Sequence, residues 1–441
     1  MLLTGNGKLF SPGPEGVFIE NGAVVTDGDV IKETGEYPAL FAKYPDAEFV
    51  DAHGGLIMPG FINAHTHIYS ALARGLPVKG YSPRNFYEVL EGMWWKLDRL
   101  LTHEDIAASA YAALTDCIKQ GVTTVFDHHA GYFAVPGSLF VIARVAEILG
   151  IRSCLCFEVS DRNGEEKCLE AISENSDFIT YTEKQNDDMT KAMFGLHASF
   201  TLSDKTLERC VLARPERTGY HIHVSEGIED VIDSFKRYGK SPVRRLIDFG
   251  ISGEKTIYAH CVNANAADLR LIAEAGCVVV NCPQSNMGNA VGCAPVLDMF
   301  GSGVLVGLGT DAFTNDMPES MRAMLTSQRH NTRRPGAAFN EAAAMLLQNN
   351  AAAAGRFFSK PLGTLTPGAA ADIIVADLKP FTPLDLDTVN GHLMFGMSGL
   401  NCLTTIVNGR LLMKDRELVG VDEEEMRAKI LEISAKLWSR F

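Results

Sequence analysis

From about residue 56 the chain alternates short runs of apolar, β-branched residues with longer stretches of helical periodicity. That alternation predicts repeated βα units around a parallel sheet. Eight runs have strand character: 56–65, 123–128, 152–159, 191–198, 219–226, 255–261, 277–283 and 304–311. Eight is the number that closes a (β/α)8 TIM barrel, an α/β fold. Gly121, Gly150, Gly276 and Gly303 each stand just ahead of a strand, where a left-handed residue ends the preceding helix. Thr102, with Glu104 and Asp105 in the following turn, is placed to cap a helix running towards Gln120.

The two ends of the chain read differently. Residues 15–35 and 362–418 carry strand and turn signals such as Glu20-Asn21-Gly22, Thr26-Asp27-Gly28-Asp29, Asn408-Gly409-Arg410 and Lys414-Asp415-Arg416. They predict a small composite β-sandwich from both termini: 1–55 and 362–441 flank a barrel over 56–361. A helix at about 421–439, with Asp422 near its start, closes the chain. At 441 residues there is room for one large domain and a smaller one.

Composition narrows the function. Hydrophobic residues at 46% and charged residues at 21% suit a globular protein, and no apolar run approaches the ~20 residues of a membrane helix. The start, Met1-Leu2-Leu3-Thr4-Gly5, lacks the basic and apolar regions of a secretory signal, so a cytoplasmic enzyme is expected. A net charge of -14 argues against nucleic acid or an anionic membrane as partner. The ten cysteines are scattered and read as reduced and mostly buried.

Catalytic groups of a parallel barrel sit at the carboxyl ends of its strands. Polar residues fall there repeatedly: His65 and His67 on the first run, His197 on the fourth, His223 with Glu226 on the fifth, His260 on the sixth and Asp311 on the eighth. One histidine at a strand end is commonly a core residue with a satisfied hydrogen bond. Convergence of several with a carboxylate makes chemical sense around a cation. The i, i+2 spacing of His65 and His67 puts both imidazoles on one face of an extended chain.

The expected set is therefore one divalent metal held by His65, His67, His223 and Asp311, lowering the pKa of a bound water towards ~7. Glu226 would shuttle a proton to the substrate, Asp311 would accept one from the water, and His260 would orient the water or stabilise developing negative charge. His197 is left to hydrogen-bond the substrate. His221, two positions before His223, is a second ligand candidate by geometry.

The ordered motifs Pro59-Gly60-Phe61-Ile62-Asn63-Ala64-His65-Thr66-His67, Gly195-Leu196-His197-Ala198, His221-Ile222-His223-Val224-Ser225-Glu226, Ala259-His260-Cys261 and Gly309-Thr310-Asp311 resemble the amidohydrolase superfamily. Within it the chain is similar to the mononuclear deaminase and chlorohydrolase branch, and to an aminohydrolase subgroup associated with selenium-dependent and purine metabolism. The terminal pieces Asp372-Ile373-Ile374-Val375 and Ile406-Val407-Asn408-Gly409 resemble that family's composite sandwich. The resemblance implies the ligand set just given, with zinc usual and iron in some members, and implies that His223 rather than His221 is the ligand. Two-metal relatives place a carboxylated lysine where this chain has His197; Lys191 stands at the other end of that run.

The resemblance further implies hydrolysis of a C–N bond in a purine- or pterin-like heterocycle. Loss of an exocyclic amine would make the enzyme a deaminase. Ring opening of an oxopurine is the alternative, and a non-catalytic scaffold of the same fold a second one, disfavoured because every ligand position is filled. Trp94 and Trp95 lie in the insertion after the first strand and either stack on a planar ring or pack the loop. Arg74 follows the first strand, and Asp127, His128 and His129 end the second; Arg74 and His129 are candidate substrate contacts. The run Asn281-Cys282-Pro283-Gln284-Ser285-Asn286 resembles the family's loop bordering the active site. The family also allows a homo-oligomer, whose subunit number no sequence feature fixes.

Overall fold

A computed structural model describes residues 1–13 and 15–441. Parallel strands and helices alternate through its middle, in an α/β architecture. The inner strands are Phe61–Thr66, Val122–His129, Arg152–Phe157, Phe194–Ala198, Tyr220–Val224, Ile257–His260, Val278–Asn281 and Leu305–Leu308. Nearly every residue in them is buried, as expected of parallel strands covered by helices on the outer face.

Two of the expected strands are divided, each for a visible reason. The run 56–65 breaks at Gly60: Leu56–Pro59 joins the terminal sheet and Phe61–Thr66 the inner strands. A side chain at Gly60 would collide with Thr123, its Cβ lying 2.1 Å from Thr123 Cγ2, so the crossing needs glycine. The run 191–198 breaks at Met193. Thr190–Ala192 pairs with Arg152–Phe157, whereas Phe194–Ala198 pairs with Tyr220–Val224. One expected strand thus connects a four-stranded to a five-stranded parallel sheet. At their other edges the sheets meet where the Thr310 and Asp311 amides both donate to the His65 carbonyl at 3.0 Å.

The terminal sheet has nine strands and mixes both ends of the chain. Leu56–Pro59 lies between them, parallel to Leu2–Ser11 and antiparallel to Ile373–Ala376. Arg152 fastens this sheet to the inner strands: its guanidinium is fully buried and donates twice to Asp372 at 3.1 Å.

Helix ends follow the local sequence. Thr102 and Asp105 form a reciprocal capping box on His103–Lys119, each side chain meeting the other residue's backbone amide. Asp422 caps Glu423–Arg440 by accepting from the Glu425 amide at 2.9 Å. Gly121, Gly150, Gly276 and Gly303 all have positive φ at the turns ahead of their strands. Among the described residues no helix is long and apolar enough to cross a membrane. All ten cysteines are free thiols.

Candidate metal centre and active site

The strand order brings His65, His67, His223, His260 and Asp311 together at one end of the inner strands. His67 Nδ1 lies 2.6 Å from the His128 carbonyl oxygen and His223 Nδ1 lies 2.9 Å from the His197 carbonyl oxygen. A carbonyl only accepts, so both Nδ1 atoms carry hydrogen and both Nε2 atoms present lone pairs when the rings are neutral. Those Nε2 atoms face each other at 3.2 Å. Nitrogens bound to one tetrahedral zinc at ~2.0 Å stand roughly 3.3 Å apart, so the pair is spaced as ligands of a single ion.

The remaining donors agree. His65 Nε2 and His260 Nε2 are buried without a hydrogen-bond partner. Asp311 Oδ1 is 2.9 Å from His67 Nε2 and 3.7 Å from His65 Nε2. The ligand atoms of His65, His67 and His223 lie within 4.8 Å of one another, as do those of His65, His260 and Asp311. Burial alone would strip charge from His67, but the Asp311 carboxylate more than offsets it and lifts the imidazole to about 9. Burial likewise opposes ionisation of Asp311, and His67 and His65 overcome it, holding the carboxyl well below its usual range. The centre stabilises positive charge at the point where the donors converge, and these residues fit a bound cation.

Other polar groups hold the donors in place. His221 Nε2 is 2.8 Å from His65 Nδ1, the ring nitrogen opposite the one that faces Asp311. Ser285 Oγ donates to Asp311 Oδ2, and His260 Nδ1 donates to Asn286 Oδ1 at 2.8 Å. Ser285 and Asn286 sit on the short helix Pro283–Gly288, within the stretch whose motif borders the site. Asp311, His260 and Ser225 all have left-handed φ of +55°, +72° and +49°, conformations that non-glycine residues adopt at strained functional turns.

A cavity opens over this centre, lined by His67, His197, His223, Glu226 and Asp311 together with the aromatic residues Tyr69, Phe86, Tyr87, Trp94, Trp95, Phe200 and Phe313. The residues Phe86–Leu97 form a short helix that passes through a π-turn at Leu90–Trp94, which presents Trp94 to the cavity. Glu226 is buried, and burial followed by the nearby Asp311 pushes its carboxyl well above the usual range. Its Oε2 stands 3.6 Å from His260 Nε2. His197 Nδ1 is 2.7 Å from Thr201 Oγ1.

Two expected contacts sit elsewhere. Arg74 lines an adjoining cavity that shares His67, Trp94 and Asp311 with the first, and its side chain is largely exposed. His129 is buried behind Tyr69 and Phe157, with ring centroids 6.1 and 5.5 Å away, and does not line the main cavity. Lys191 bonds to the Asp187 carbonyl at 2.5 Å, away from the histidines. Glu158, which the sequence did not single out, does line the cavity.

Residues 56–412 match the profile of the amidohydrolase family. The chain belongs to that family. The 5-methylthioadenosine/S-adenosylhomocysteine deaminase of Syntrophomonas wolfei subsp. wolfei is 32% identical over 434 residues, 95% of each chain. The 5'-deoxyadenosine deaminase of Methanosarcina barkeri is 30% identical over 444 residues, covering 100% of this chain and 99% of its own. An adenosine deaminase from Xanthomonas campestris, solved with bound zinc, has the same fold: the TM-score is 0.88 at 23% identity, over 99% of this chain and 98% of that one. This amidohydrolase is a hydrolase acting on carbon–nitrogen bonds.

Proposed function

We propose that this amidohydrolase deaminates a purine-type heterocycle at a single divalent metal, zinc before iron, held by His65, His67, His223 and Asp311. The carrying observation is the pair of Nε2 lone pairs of His67 and His223, 3.2 Å apart, with Asp311 Oδ1 2.9 Å from the first. When bound, the ion supplies Lewis acidity and lowers the pKa of a water it holds towards ~7. Asp311 accepts the proton of the attacking water. Glu226 keeps a proton at the cavity wall and passes it to the substrate, the direction its raised affinity for protons favours. His260 orients the nucleophile through its free Nε2. His197, its Nδ1 engaged with Thr201, turns Nε2 to a polar atom of the substrate, and Trp94 offers a face to its ring. Arg74 reaches only a substrate that extends into the adjoining cavity, and His129, behind Tyr69, does not line the main one.

We read the inner strands as a closed (β/α)8 barrel over 56–361, with 1–55 and 362–441 forming a composite sandwich. The single bridge from Thr66 to Asp311 and the strand shared between sheets at Met193 support that closure. Ten free thiols support a reducing, cytoplasmic setting.

The test is metal analysis of the purified protein together with ammonia release from a panel of aminopurines, pterins and oxopurines. The expected result is about one metal per chain and ammonia from an aminopurine. Metal without ammonia, but with loss of the purine absorbance, would replace deamination by ring opening.

A further inference from the structure

Glu158 follows the third inner strand, Arg152–Phe157, and stands outside the proposed ligand set, with its carboxylate within 4.8 Å of the ligand atoms of His128 and His223. Its side chain is 4% exposed and lines the cavity. Oε1 accepts from Arg162 Nη2, while Arg162 Nη1 lies 2.6 Å from Asp98 Oδ2. Arg162 is held over the rings of Trp95 and Tyr132, 5.2 and 4.6 Å from their centroids, so this pairing is fixed in place. Neither Arg162 nor Asp98 reaches the cavity. One guanidinium between two carboxylates leaves the ionised trio with a net negative charge, and Glu158 is the member that shows it to the ligand. Its Oε2 is 3.8 Å from the nearest ring nitrogen, His128 Nδ1, too far for a hydrogen bond. That oxygen is free to accept from a molecule in the cavity.

The other charges around it have the same sign. Glu229, Asp230 and Asp311 line the cavity beside Glu226, whose proton burial helps to hold, and among the described residues no lysine or arginine does. A divalent ion offsets Asp311 and one further carboxylate. Aromatic walls of low polarity leave the rest weakly screened.

We propose that Glu158 determines the specificity of this cavity: its Oε2 accepts a hydrogen bond from a ring N–H or amino group of a neutral or cationic aminoheterocycle, while the surrounding carboxylates refuse phosphorylated or carboxylated ones. The choice of purine probes rests on the deaminase reading; the readout does not. Adenosine and adenosine 5'-monophosphate form a matched pair differing by a phosphate, and 2,6-diaminopurine riboside adds a donor to the first.

Binding of all three is measured calorimetrically on the full-length, metal-loaded protein carrying Glu226→Gln to stop turnover, alone and combined with Glu158→Gln or Asp98→Asn. The titrations run at about pH 8, because burial lifts Glu158 to about 7. Adenosine should bind at least about 100-fold more tightly than its monophosphate. Glu158→Gln should weaken the diamino compound by about 10-fold or more, whereas Asp98→Asn, which removes charge from the same trio away from the cavity, should leave the ranking intact. The proposal is overturned if the monophosphate binds within about threefold of adenosine, if none of the nucleosides binds, if folded Glu158→Gln keeps every affinity, or if Asp98→Asn has the same effect. Should Glu158→Gln not fold, the nucleoside-to-monophosphate ratio in Glu226→Gln alone still decides the exclusion of anions, and Asp98→Asn must preserve it. Ammonia release by the wild-type protein is followed in parallel. Selective binding without ammonia would refute the deaminase reading and leave Glu158's role standing, and ammonia released equally from both members of the pair would do the reverse.

Discussion

His221 Nε2 lies 2.8 Å from His65 Nδ1, so the first histidine of the fifth-strand pair supports a proposed ligand of the first strand while the second, His223, faces the candidate metal centre. A ligand whose ring is no longer oriented from behind binds its ion less well. His221→Ala should lower metal affinity by about 10- to 100-fold with the fold intact, as read by competition with a coloured chelator. Wild-type affinity in that variant would show that His65 needs no such support.

Ser285 Oγ donates to Asp311 Oδ2, leaving Oδ1 turned to the histidines. Ser285→Ala frees the carboxylate to rotate and removes one of the groups that stabilise its charge. A fall in kcat of about 10-fold or more, with metal content held near wild type by excess zinc, is expected. An unchanged kcat would remove Ser285 from any positioning role.

Glu226 occupies the cavity wall outside the proposed ligand set. Glu226→Gln should therefore retain the metal while kcat drops by about 10²- to 10⁴-fold, the usual contribution of a positioned acid or base. Loss of metal along with activity would mean that the residue is a ligand.

Asp127 gives a stability signal whose sign is fixed by burial. Its Oδ1 accepts from the Ile68 amide at 2.7 Å and its Oδ2 is buried without a partner. Burial, opposed by that amide and by His67, lifts the carboxyl from 3.8 to about 7. The folded protein then holds the proton more tightly than the unfolded chain. The resulting stabilisation is complete below about pH 4 and is lost as pH rises through about 7, a change on the order of 4 kcal/mol. Asp127→Asn, neutral throughout, should decline less steeply between about pH 4 and about pH 7 in denaturant titrations of the metal-loaded protein. Parallel curves for the two proteins would sink the assignment.

Arg152 and Asp372 are a buried pair joining the inner strands to the terminal sheet. Asp372→Ala strands the guanidinium in the interior and also deprives the Asn408 amide of its acceptor, now at 2.7 Å. The expected loss is about 3 to 5 kcal/mol in chemical denaturation, larger than for most surface ion pairs. A cost under about 1 kcal/mol would show that water or a neighbour relieves the charge.

Much of this was legible from the chain alone because it depends on local periodicity. Strand spacing, helix caps at Thr102 and Asp422, and the polar residues ending apolar runs follow from side chains a few positions apart. Parallel strands in sequential order carry their carboxyl ends to one side, so His65, His67, His223, His260 and Asp311 were bound to gather once the order was known. Spacing does not say which of two inward-facing residues on a strand meets the ion; the family resemblance favoured His223 over His221, and the register sets one against His65 and the other against His67. Nor does it reveal that Ser285, Asn286 and Glu158 reach the centre or its cavity, since their partners lie on other strands and each contact is fixed by packing across the interior. The breaks at Gly60 and Met193 have the same origin: an apolar run reads as one strand until a neighbouring sheet captures half of it.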